Sequence, residues 1–182
     1  MPKRAAQTCQ RTNRRCRTKR WIIYILLIKP KKNINSSTSV VGNNTSNIKN
    51  ISKTDIINSL DGVTETSTLI VEQIQKKEIG INILSDEWFE KSTGQPSSTT
   101  ACHIKGQIYL RRTSPSILSD VVHEGTHALD FLNGVPEEIR GSWIGETKAY
   151  TEERLFQIAA GLPIEFETID DMMVHIWMNY KR

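Results

Sequence analysis

The sequence predicts an α+β domain that follows a basic N-terminal tail. Two short β-rich segments, residues 99–104 and 107–112, flank Lys105 and Gly106 and indicate a β-hairpin. Directly after them, residues 114–132 have the apolar spacing of an amphipathic helix, and a second helical segment covers about residues 142–160. Strands that precede helices along the chain are typical of α+β architecture. We therefore expect a small, mainly antiparallel sheet followed by two principal helices.

Three further segments precede the hairpin, and one follows the second helix. Residues 64–77 have helical apolar spacing, residues 79–84 alternate like a strand, and residues 85–93 open with Ser and acidic residues, a signal for a helix N-terminus. A short helix is expected near residues 170–180.

Charge divides the chain into two parts. Residues 1–54 contain 13 Lys and Arg and no acidic residue, whereas residues 55–182 contain 11 basic and all 20 acidic side chains, a net charge of −9. Residues 33–53 are mostly Asn, Ser, Thr and Lys, a composition typical of a linker or of disorder. A chain of 182 residues accommodates one domain with an appendage. We predict a tail at residues 1–54 and a single domain at residues 55–182.

The role of the tail stays open. Its apolar run, residues 21–28, is only 8 residues long, too short to span a bilayer, and no small-residue cleavage site follows it. It is compatible with a targeting segment or with a disordered tail, and hence with a secreted, a delivered or an intracellular protein. Thirteen positive charges favour non-specific, salt-dependent binding to an anionic partner such as nucleic acid or an acidic membrane, although no specific nucleic-acid module is recognisable.

The cysteines indicate no disulfide framework. There are three, and two of them, Cys9 and Cys16, lie in the tail. Cys102 is predicted to be a small buried residue rather than a metal ligand, because free cysteine is usually inside. Its neighbour His103 is predicted to be an ordinary hairpin side chain.

Residues 114–132 are predicted to be the helix that carries the chemistry. Ser114 is expected to cap its N-terminus, Pro115 to occupy the first turn, and Asn133 and Gly134 to end it. Its apolar residues share one face, which we expect in the core: Ile117, Leu118, Val121, Val122, Ala128, Leu129 and Leu132. The opposite face collects two imidazoles and three carboxylates.

His123, Glu124 and His127 on that polar face predict a catalytic zinc site with one ion per chain. Residues i and i+4 lie one above the other on a helix, so both imidazoles can bind one ion. Imidazole nitrogens suit zinc, and a catalytic site keeps one position for water. Glu124 is placed to take a proton from that water without binding the metal itself, as a general base for hydrolysis. A solvated histidine patch is the weaker interpretation of the same residues.

The run His123-Glu124-Gly125-Thr126-His127 resembles the active-site helix of the zincin metallopeptidases. The metzincin branch continues with a glycine and a third histidine, whereas this chain continues with "ALDFLNGV". Taken with "ETKAYTEERLF", the motif is also similar to metallopeptidase domains at the ends of bacterial polymorphic toxins. The resemblance covers about residues 99–162. It implies a minimal zincin-like fold, a peptide or protein substrate, and a role as a toxin or effector protease.

In the gluzincin branch a glutamate on a second helix completes the metal site. Glu146 follows His127 by 19 residues and lies near the start of the second predicted helix, so it is the favoured third ligand. Glu153 lies on nearly the same face two turns later and remains the alternative.

Three residues are weaker predictions around the site. Asp130 is positioned to hold an imidazole N–H and fix its tautomer, as ligating histidines usually require. Tyr150, one turn after Glu146, is a candidate for stabilising the oxyanion or for orienting a ligand. His175, on the last predicted helix, is a candidate for the same role. Packing or exposure at the surface is the competing interpretation of each.

The resemblance also implies a strand that binds the substrate. In the zincins a sheet-edge strand pairs with an extended substrate through main-chain hydrogen bonds. Residues 107–112 lie directly before the helix, so Ile108, Tyr109 and Leu110 are candidates for this role, with a purely structural strand as the alternative.

Two other classes of function stay open beside the peptidase. One is a zinc-binding module without catalysis, and the other is an anion-binding protein that acts through its tail.

Overall fold

The computed structural model describes residues 51–180, which form seven helices and a three-stranded sheet, so the predicted α+β class is confirmed. In chain order the elements are α1 Lys53–Leu60, α2 Glu65–Gln75, β1 Gly80–Leu84, α3 Asp86–Thr93, β2 Ala101–Ile104, β3 Gln107–Arg111, α4 Ile117–Leu132, α5 Glu137–Arg140, α6 Trp143–Ala160 and α7 Ile169–Asn179. The helices α1 and α5 have no counterpart among the predicted elements, and helices both precede and interrupt the strands. None of the helices in the described part of the chain is long and apolar enough to cross a membrane.

Side-chain hydroxyls cap the start of most helices. Ser52, Thr64, Ser85, Ser142 and Thr168 each accept a hydrogen bond from a backbone N–H of the first turn that follows. Such caps satisfy donors that have no partner within the helix. The hydroxyl residues therefore determine where five of the seven helices begin.

Helices α4 and α5 have no such cap, and the predicted start of α4 at Ser114 is wrong. The helix begins at Ile117, and Ser116 stands at its N-cap without a side-chain capping bond. The Ser114 hydroxyl instead donates to Asp120, one turn inside the helix. The predicted end is confirmed, because Asn133 is the C-cap and Gly134 adopts the left-handed conformation with φ +72°.

The sheet is mixed, so the expectation of a mainly antiparallel sheet is wrong. Its order is β1-β3-β2, with β1 parallel and β2 antiparallel to β3. After β1, helix α3 and its loop carry the chain to the far edge, where β2 forms. The tight turn at Lys105 and Gly106, both with positive φ, then returns β3 between the two other strands. The predicted hairpin is thus confirmed, and the return direction makes β3 parallel to β1.

Helix α4 lies at the centre of the domain. It packs against β2, β3 and α2 on its apolar side and against α6 on its polar side. Ile117, Val121, Val122 and Ala128 lie in the core, as predicted from the sequence. Of the other predicted core positions, Leu118 and Leu129 are partly buried and Leu132 is exposed. Because α6 covers the opposite face, the polar residues of α4 are shielded from solvent as well.

The predicted tail, residues 1–54, lies outside the described residues except for its last four. Helix α1 begins at Lys53, and Ser52 and Asp55 form a reciprocal capping box around its first turn. The apolar run at residues 21–28 also lies outside the described part.

Candidate metal centre

Three side chains from α4 and α6 converge on one point. His123 Nε2 lies 3.4 Å from Glu146 Oε2, and His127 Nε2 lies 3.5 Å from Glu146 Oε1. One donor atom of each residue lies within 4.8 Å of the other two. Bonds of about 2.0–2.1 Å in a tetrahedral zinc site separate neighbouring ligand atoms by roughly 3.3–3.5 Å. The contacts to Glu146 therefore have the spacing of ligands around a shared zinc ion.

A tight corner before α6 positions Glu146. Helix α5 ends at Gly141, Ser142 caps α6, and Glu146 lies in the first turn of that helix. At Gly145 an added Cβ would lie only 2.2 Å from the carbonyl oxygen of Arg140, so this corner requires glycine. The close approach of α5 to α6 thus brings the first turn of α6 over the histidines.

A buried polar atom without a standard hydrogen bond supports a cation at this point. Glu146 Oε2 is buried and makes no hydrogen bond of standard geometry among the described residues, and its contact with His123 Nε2 is 3.4 Å long. His127 Nδ1, on the other side of its ring from Nε2, is also buried without a hydrogen bond. Leaving such a group unsatisfied costs about 1–3 kcal/mol, and more when it is charged. Two imidazole nitrogens and one carboxylate form a donor set that catalytic zinc sites use. The residues fit zinc, and three protein ligands would leave one position of a tetrahedral site for water or substrate.

Glu153 holds the outer nitrogen of the first histidine. Its Oε2 lies 3.0 Å from His123 Nδ1, and its Oε1 accepts a hydrogen bond of 3.0 Å from Gln157. This contact favours the tautomer with the proton on Nδ1, which leaves Nε2 with a free lone pair toward Glu146. Of the two glutamates considered as third ligand, Glu146 therefore faces the shared point and Glu153 lies behind His123.

The prediction that Asp130 holds an imidazole is wrong. Asp130 is buried, but its Oδ1 pairs with the ammonium group of Lys148 on α6. Lys148, two residues after the predicted ligand Glu146, provides a nearby cation, so the Asp130 carboxylate pairs with it and not with an imidazole.

The ionisable groups of the cluster perturb each other strongly. Burial lowers the pKa of His123, but hydrogen bonds to Glu146 and Glu153 outweigh this effect and raise the pKa to about 10. Burial raises the pKa of Glu146, but hydrogen bonds to His123 and His127 outweigh it and lower the pKa to about 2. Without a metal, the favoured state is therefore an imidazolium next to a carboxylate.

Glu124 is a carboxylate beside the histidines that does not join the three-residue cluster. Burial raises its pKa above the ordinary value, while the neighbouring charges of His123 and His127 partly oppose the shift. A carboxylate with a raised pKa accepts a proton more readily near neutral pH. Its position and its proton affinity suit a general base.

Tyr150 and His175 contact each other beside the three-residue cluster. Each was a separate candidate in the sequence. The Tyr150 ring packs edge-on against His123 with centroids 4.4 Å apart, and its hydroxyl lies 3.2 Å from His175 Nε2. Burial, followed by the nearby Tyr180 hydroxyl, raises the pKa of Tyr150 well above its ordinary range. Tyr150 is therefore a neutral hydrogen-bonding group at the pH values where proteins function.

The loop between α6 and α7 borders the site. The backbone N–H of Glu165 donates to Gln157 Oε1, and Arg154 donates to the carbonyl groups of Phe166 and Glu167. The Phe166 ring lies 5.6 Å from that of Tyr150. These contacts hold the loop beside the cluster.

The prediction that β3 is the substrate-binding edge strand is wrong. Ile108, Tyr109 and Leu110 pair with β1 on one side and with β2 on the other. Ile108 and Leu110 are also fully buried in the core. Among the strands of residues 51–180 that contact α4, β2 is the one that pairs with another strand on one side alone.

Of the two hairpin residues considered for chemistry, Cys102 is buried as predicted, and His103 contacts its own hairpin. Burial raises the pKa of the Cys102 thiol to about 11. His103 accepts a hydrogen bond of 2.8 Å from the backbone of Gly106 through Nε2, and its ring lies beside that of Phe131.

Sequence reasoning missed several residues that support the site. Gln157 lies one turn after Glu153 on α6 and extends the contact behind His123, a spacing that the sequence displays but that many surface residues share. Tyr180 interacts with the Tyr150 hydroxyl and is close enough to Glu146 and Glu124 for their charges to raise its own pKa, although burial is the larger cause. No local pattern marks Tyr180 or Phe166.

Comparison of the chain with protein-family models, with curated proteins and with solved structures found no match.

Proposed function

We propose that this protein is a zinc-dependent peptidase, with His123, His127 and Glu146 as the zinc ligands. The observation that supports this most directly is the convergence of His123 Nε2 and His127 Nε2 on the two oxygens of Glu146, at 3.4 and 3.5 Å. A general base and a tyrosine hydroxyl border the same point.

Each residue of the site has a separate role in peptide hydrolysis. When bound, zinc activates water and polarises the substrate carbonyl. Glu124 accepts the proton from the attacking water and delivers it to the nitrogen of the departing amine. Glu153 keeps the His123 ring oriented, and α4 and α6 exclude water from the far side of the site.

Tyr150 donates a hydrogen bond to the oxyanion that develops on the substrate carbonyl. For this role its hydroxyl proton must point away from His175, with His175 Nε2–H donating to the Tyr150 oxygen. Asn179 Nδ2 lies 3.5 Å from His175 Nδ1, which favours the tautomer protonated at Nε2. The Tyr150 O–H is then directed either to the Tyr180 hydroxyl or to the substrate, so the oxyanion role requires it to turn from Tyr180 to the substrate.

The substrate lies along β2 in an extended conformation. The carbonyl oxygen of Thr100 accepts a hydrogen bond from the backbone N–H of Arg111. Because main-chain groups alternate in direction along an antiparallel strand, residues 100, 102 and 104 direct theirs toward β3. Ala101 and His103 direct theirs toward the open edge. The charge of Glu124 reaches Cys102, so this edge runs beside the proposed general base.

Replacing Glu124 by Gln tests the proposal. We expect the variant to bind one zinc ion per chain, as measured by metal analysis, and to lose at least about a thousandfold of the cleavage rate on a broad peptide library. Glu138→Gln, on the exposed surface of α5, is the matched control and should retain both properties. Full activity of Glu124→Gln with zinc bound contradicts the mechanism, and wild-type protein that binds zinc without cleaving any peptide indicates a non-catalytic zinc module.

A further inference from the structure

Arg140 carries a guanidinium group that is held in place but not paired with an acid. Its Nε donates a hydrogen bond of 3.0 Å to the carbonyl oxygen of Val135, and its Cζ lies 5.2 Å from the centroid of the Phe131 ring. Among residues 51–180, no acceptor bonds to its two Nη groups and no carboxylate oxygen lies within 4.0 Å of them. The outer edge of this guanidinium is therefore available to an acidic ligand.

Two other arginine side chains that pack within the domain already use this edge. Both Nη groups of Arg111 are bonded, one of them to Glu90, and both Nη groups of Arg154 donate to carbonyl groups of the loop that contains Phe166. The fork of an arginine matches the two oxygens of a carboxylate, and a guanidinium that is already oriented loses little freedom when it binds one. Arg140 differs from the other two because its oriented fork has no acceptor in the described part of the domain.

Contacts join Arg140 to the metal centre and to the open edge of β2. Its carbonyl oxygen lies where a Cβ on Gly145 would come within 2.2 Å, and Gly145 directly precedes Glu146. The Phe131 ring next to its guanidinium has its centroid 5.7 Å from that of His103, whose main-chain groups face the open edge. Arg140 therefore lies beside the proposed path of the substrate along β2.

Two cationic side chains lie at this end of β2. Lys105, in the hairpin turn, is exposed, and Arg140 is half-buried. His103 adds no charge near pH 7, because burial, followed by the charges of Arg140 and His127, lowers its pKa to about 4. The acidic residues of α5 are exposed and form no ion pair with Arg140. Arg140 is thus a cation without a counter-ion in residues 51–180, and it stands next to a neutral imidazole.

A peptide bonded to the open edge of β2 would bring one of its side chains to this cation. Ala101 and His103 share one face of the sheet, since Ala101 packs in the core and His103 packs against Phe131 of α4. Residues that lie opposite each other on neighbouring strands direct their side chains to the same face. A substrate residue beside His103 therefore directs its side chain toward Phe131 and Arg140.

We propose that Arg140 is a specificity-determining residue that binds a carboxylate of a peptide held along β2. An Asp or Glu side chain and a C-terminal carboxylate both offer the pair of oxygens that an arginine fork binds. The Phe131 ring and the Val135 carbonyl keep the guanidinium oriented for this contact. The inference rests on the proposed function for the peptide and its place along β2, but it does not depend on turnover.

Peptide binding to the Glu124→Gln variant in the presence of zinc tests the proposal without cleavage. The probes are three fluorescein-labelled decapeptides of Ala and Ser. One has a central Glu and an amidated C-terminus, one a central Gln and an amidated C-terminus, and one a central Gln and a free C-terminal carboxylate. Fluorescence anisotropy measures the Kd of each. We expect the Glu peptide or the free-carboxylate peptide to bind about tenfold more tightly than the neutral peptide, and the tighter of the two identifies the source of the carboxylate.

Replacing Arg140 in the same background should remove this preference. We expect Arg140→Gln to bind the preferred peptide about tenfold more weakly, and Arg140→Glu to prefer a peptide with a central Lys over the Glu peptide. Arg112→Gln is the matched control, since Arg112 is exposed and follows β3 at the end opposite the hairpin turn. Circular dichroism and metal analysis check that each variant is folded and holds zinc.

The possible results separate this site from the proposed peptidase activity. Three equal Kd values, or no binding of any peptide, overturn the proposal, as does a preference that Arg140→Gln leaves unchanged. Wild-type protein that cleaves all three peptides equally fast also overturns it, while the peptidase activity stands. Carboxylate binding that depends on Arg140, without cleavage of any peptide by the wild type, supports the site and contradicts the peptidase.

Discussion

The two nitrogens of His123 face two glutamates of the same helix. Nδ1 lies 3.0 Å from Glu153 Oε2, and Nε2 lies 3.4 Å from Glu146 Oε2. These glutamates are seven residues apart on α6, hence two turns, so both point toward α4. A single helix thus supplies a proposed ligand and the group that orients another ligand.

Removing the Glu153 carboxylate should weaken zinc binding. Because ligand orientation depends on such outer contacts, we expect Glu153→Ala to lower the zinc affinity about 10–100-fold, with a smaller loss for Glu153→Gln, which can still accept a hydrogen bond. Competition with a chromogenic chelator measures the affinity. Glu152→Ala is the matched control, since Glu152 accepts a hydrogen bond from Thr66 and does not contact the cluster. Equal affinities for Glu153→Ala and the wild type would contradict an orienting role.

Replacing Tyr150 by Phe should slow the chemical step without loss of the metal. Removal of one oxyanion donor costs about 10²–10³ in kcat, so we expect that decrease with a nearly unchanged KM and a full complement of zinc. Steady-state kinetics and metal analysis are the measurements. Tyr109→Phe, in the paired central strand, should behave like the wild type. A decrease confined to KM would indicate that Tyr150 binds substrate and does not stabilise the oxyanion.

The local sequence pattern of α4 was sufficient to predict its apolar face and its C-terminal end. His123 and His127 lie on one face because they are four residues apart in a helix. The partner of each polar side chain was not predictable in the same way. Asp130 has suitable spacing for a contact with His127, yet the packing of α6 places Lys148 beside it. The same packing assigns Glu153 to His123. Sequence spacing limits which residues share a face, whereas the approach of a second helix determines which of them meet.

The edge of the sheet was mispredicted for a related reason. Residues 107–111 have the composition of a strand in either position. Whether β3 lies at an edge depends on its pairing with β1, a contact between residues 27 positions apart in the chain. Parallel pairing of this kind leaves no local signal, because the connection runs through a helix and a loop.

The stability of the metal-free protein should depend on pH in two windows. The pKa of His123 is raised to about 10, so its contribution is complete below the unfolded value of 6.5 and is lost as the pH rises through 10. The pKa of Glu146 is lowered to about 2, so its contribution is present above 4.5 and is lost as the pH falls through 2. Urea unfolding of chelator-treated protein should therefore show the highest stability at about pH 4.5–6.5. A His123 resonance that titrates near 6.5 by NMR would contradict this coupling.

Gly125, inside the motif, should not tolerate a methyl group. An added Cβ would lie 2.5 Å from Cδ1 and 2.9 Å from Cγ1 of Ile70, which is fully buried on α2. Overpacking costs about 1–3 kcal/mol, against a gain of about 0.5–1 kcal/mol for Ala over Gly in a helix. We expect Gly125→Ala to lower the free energy of unfolding by about 1 kcal/mol. Denaturant titration of a double-mutant cycle with Ile70→Val is the measurement, and additive effects of the two substitutions would exclude the clash.

Methylation of single substrate amides should reveal pairing with β2. The outward main-chain groups of β2 belong to Ala101 and His103, so a substrate strand bonded to them uses every second residue. We expect N-methylation at one or two alternate positions to lower kcat/KM about tenfold each, because one hydrogen bond is lost and the methyl group blocks close approach. The positions between them point their amides away from β2 and are the internal control. Equal sensitivity at consecutive positions, or none at any position, would show that the substrate does not extend the sheet at this edge. The measurement tests β2 as the substrate-binding strand. The strand β3 cannot have this role, because both of its edges are paired.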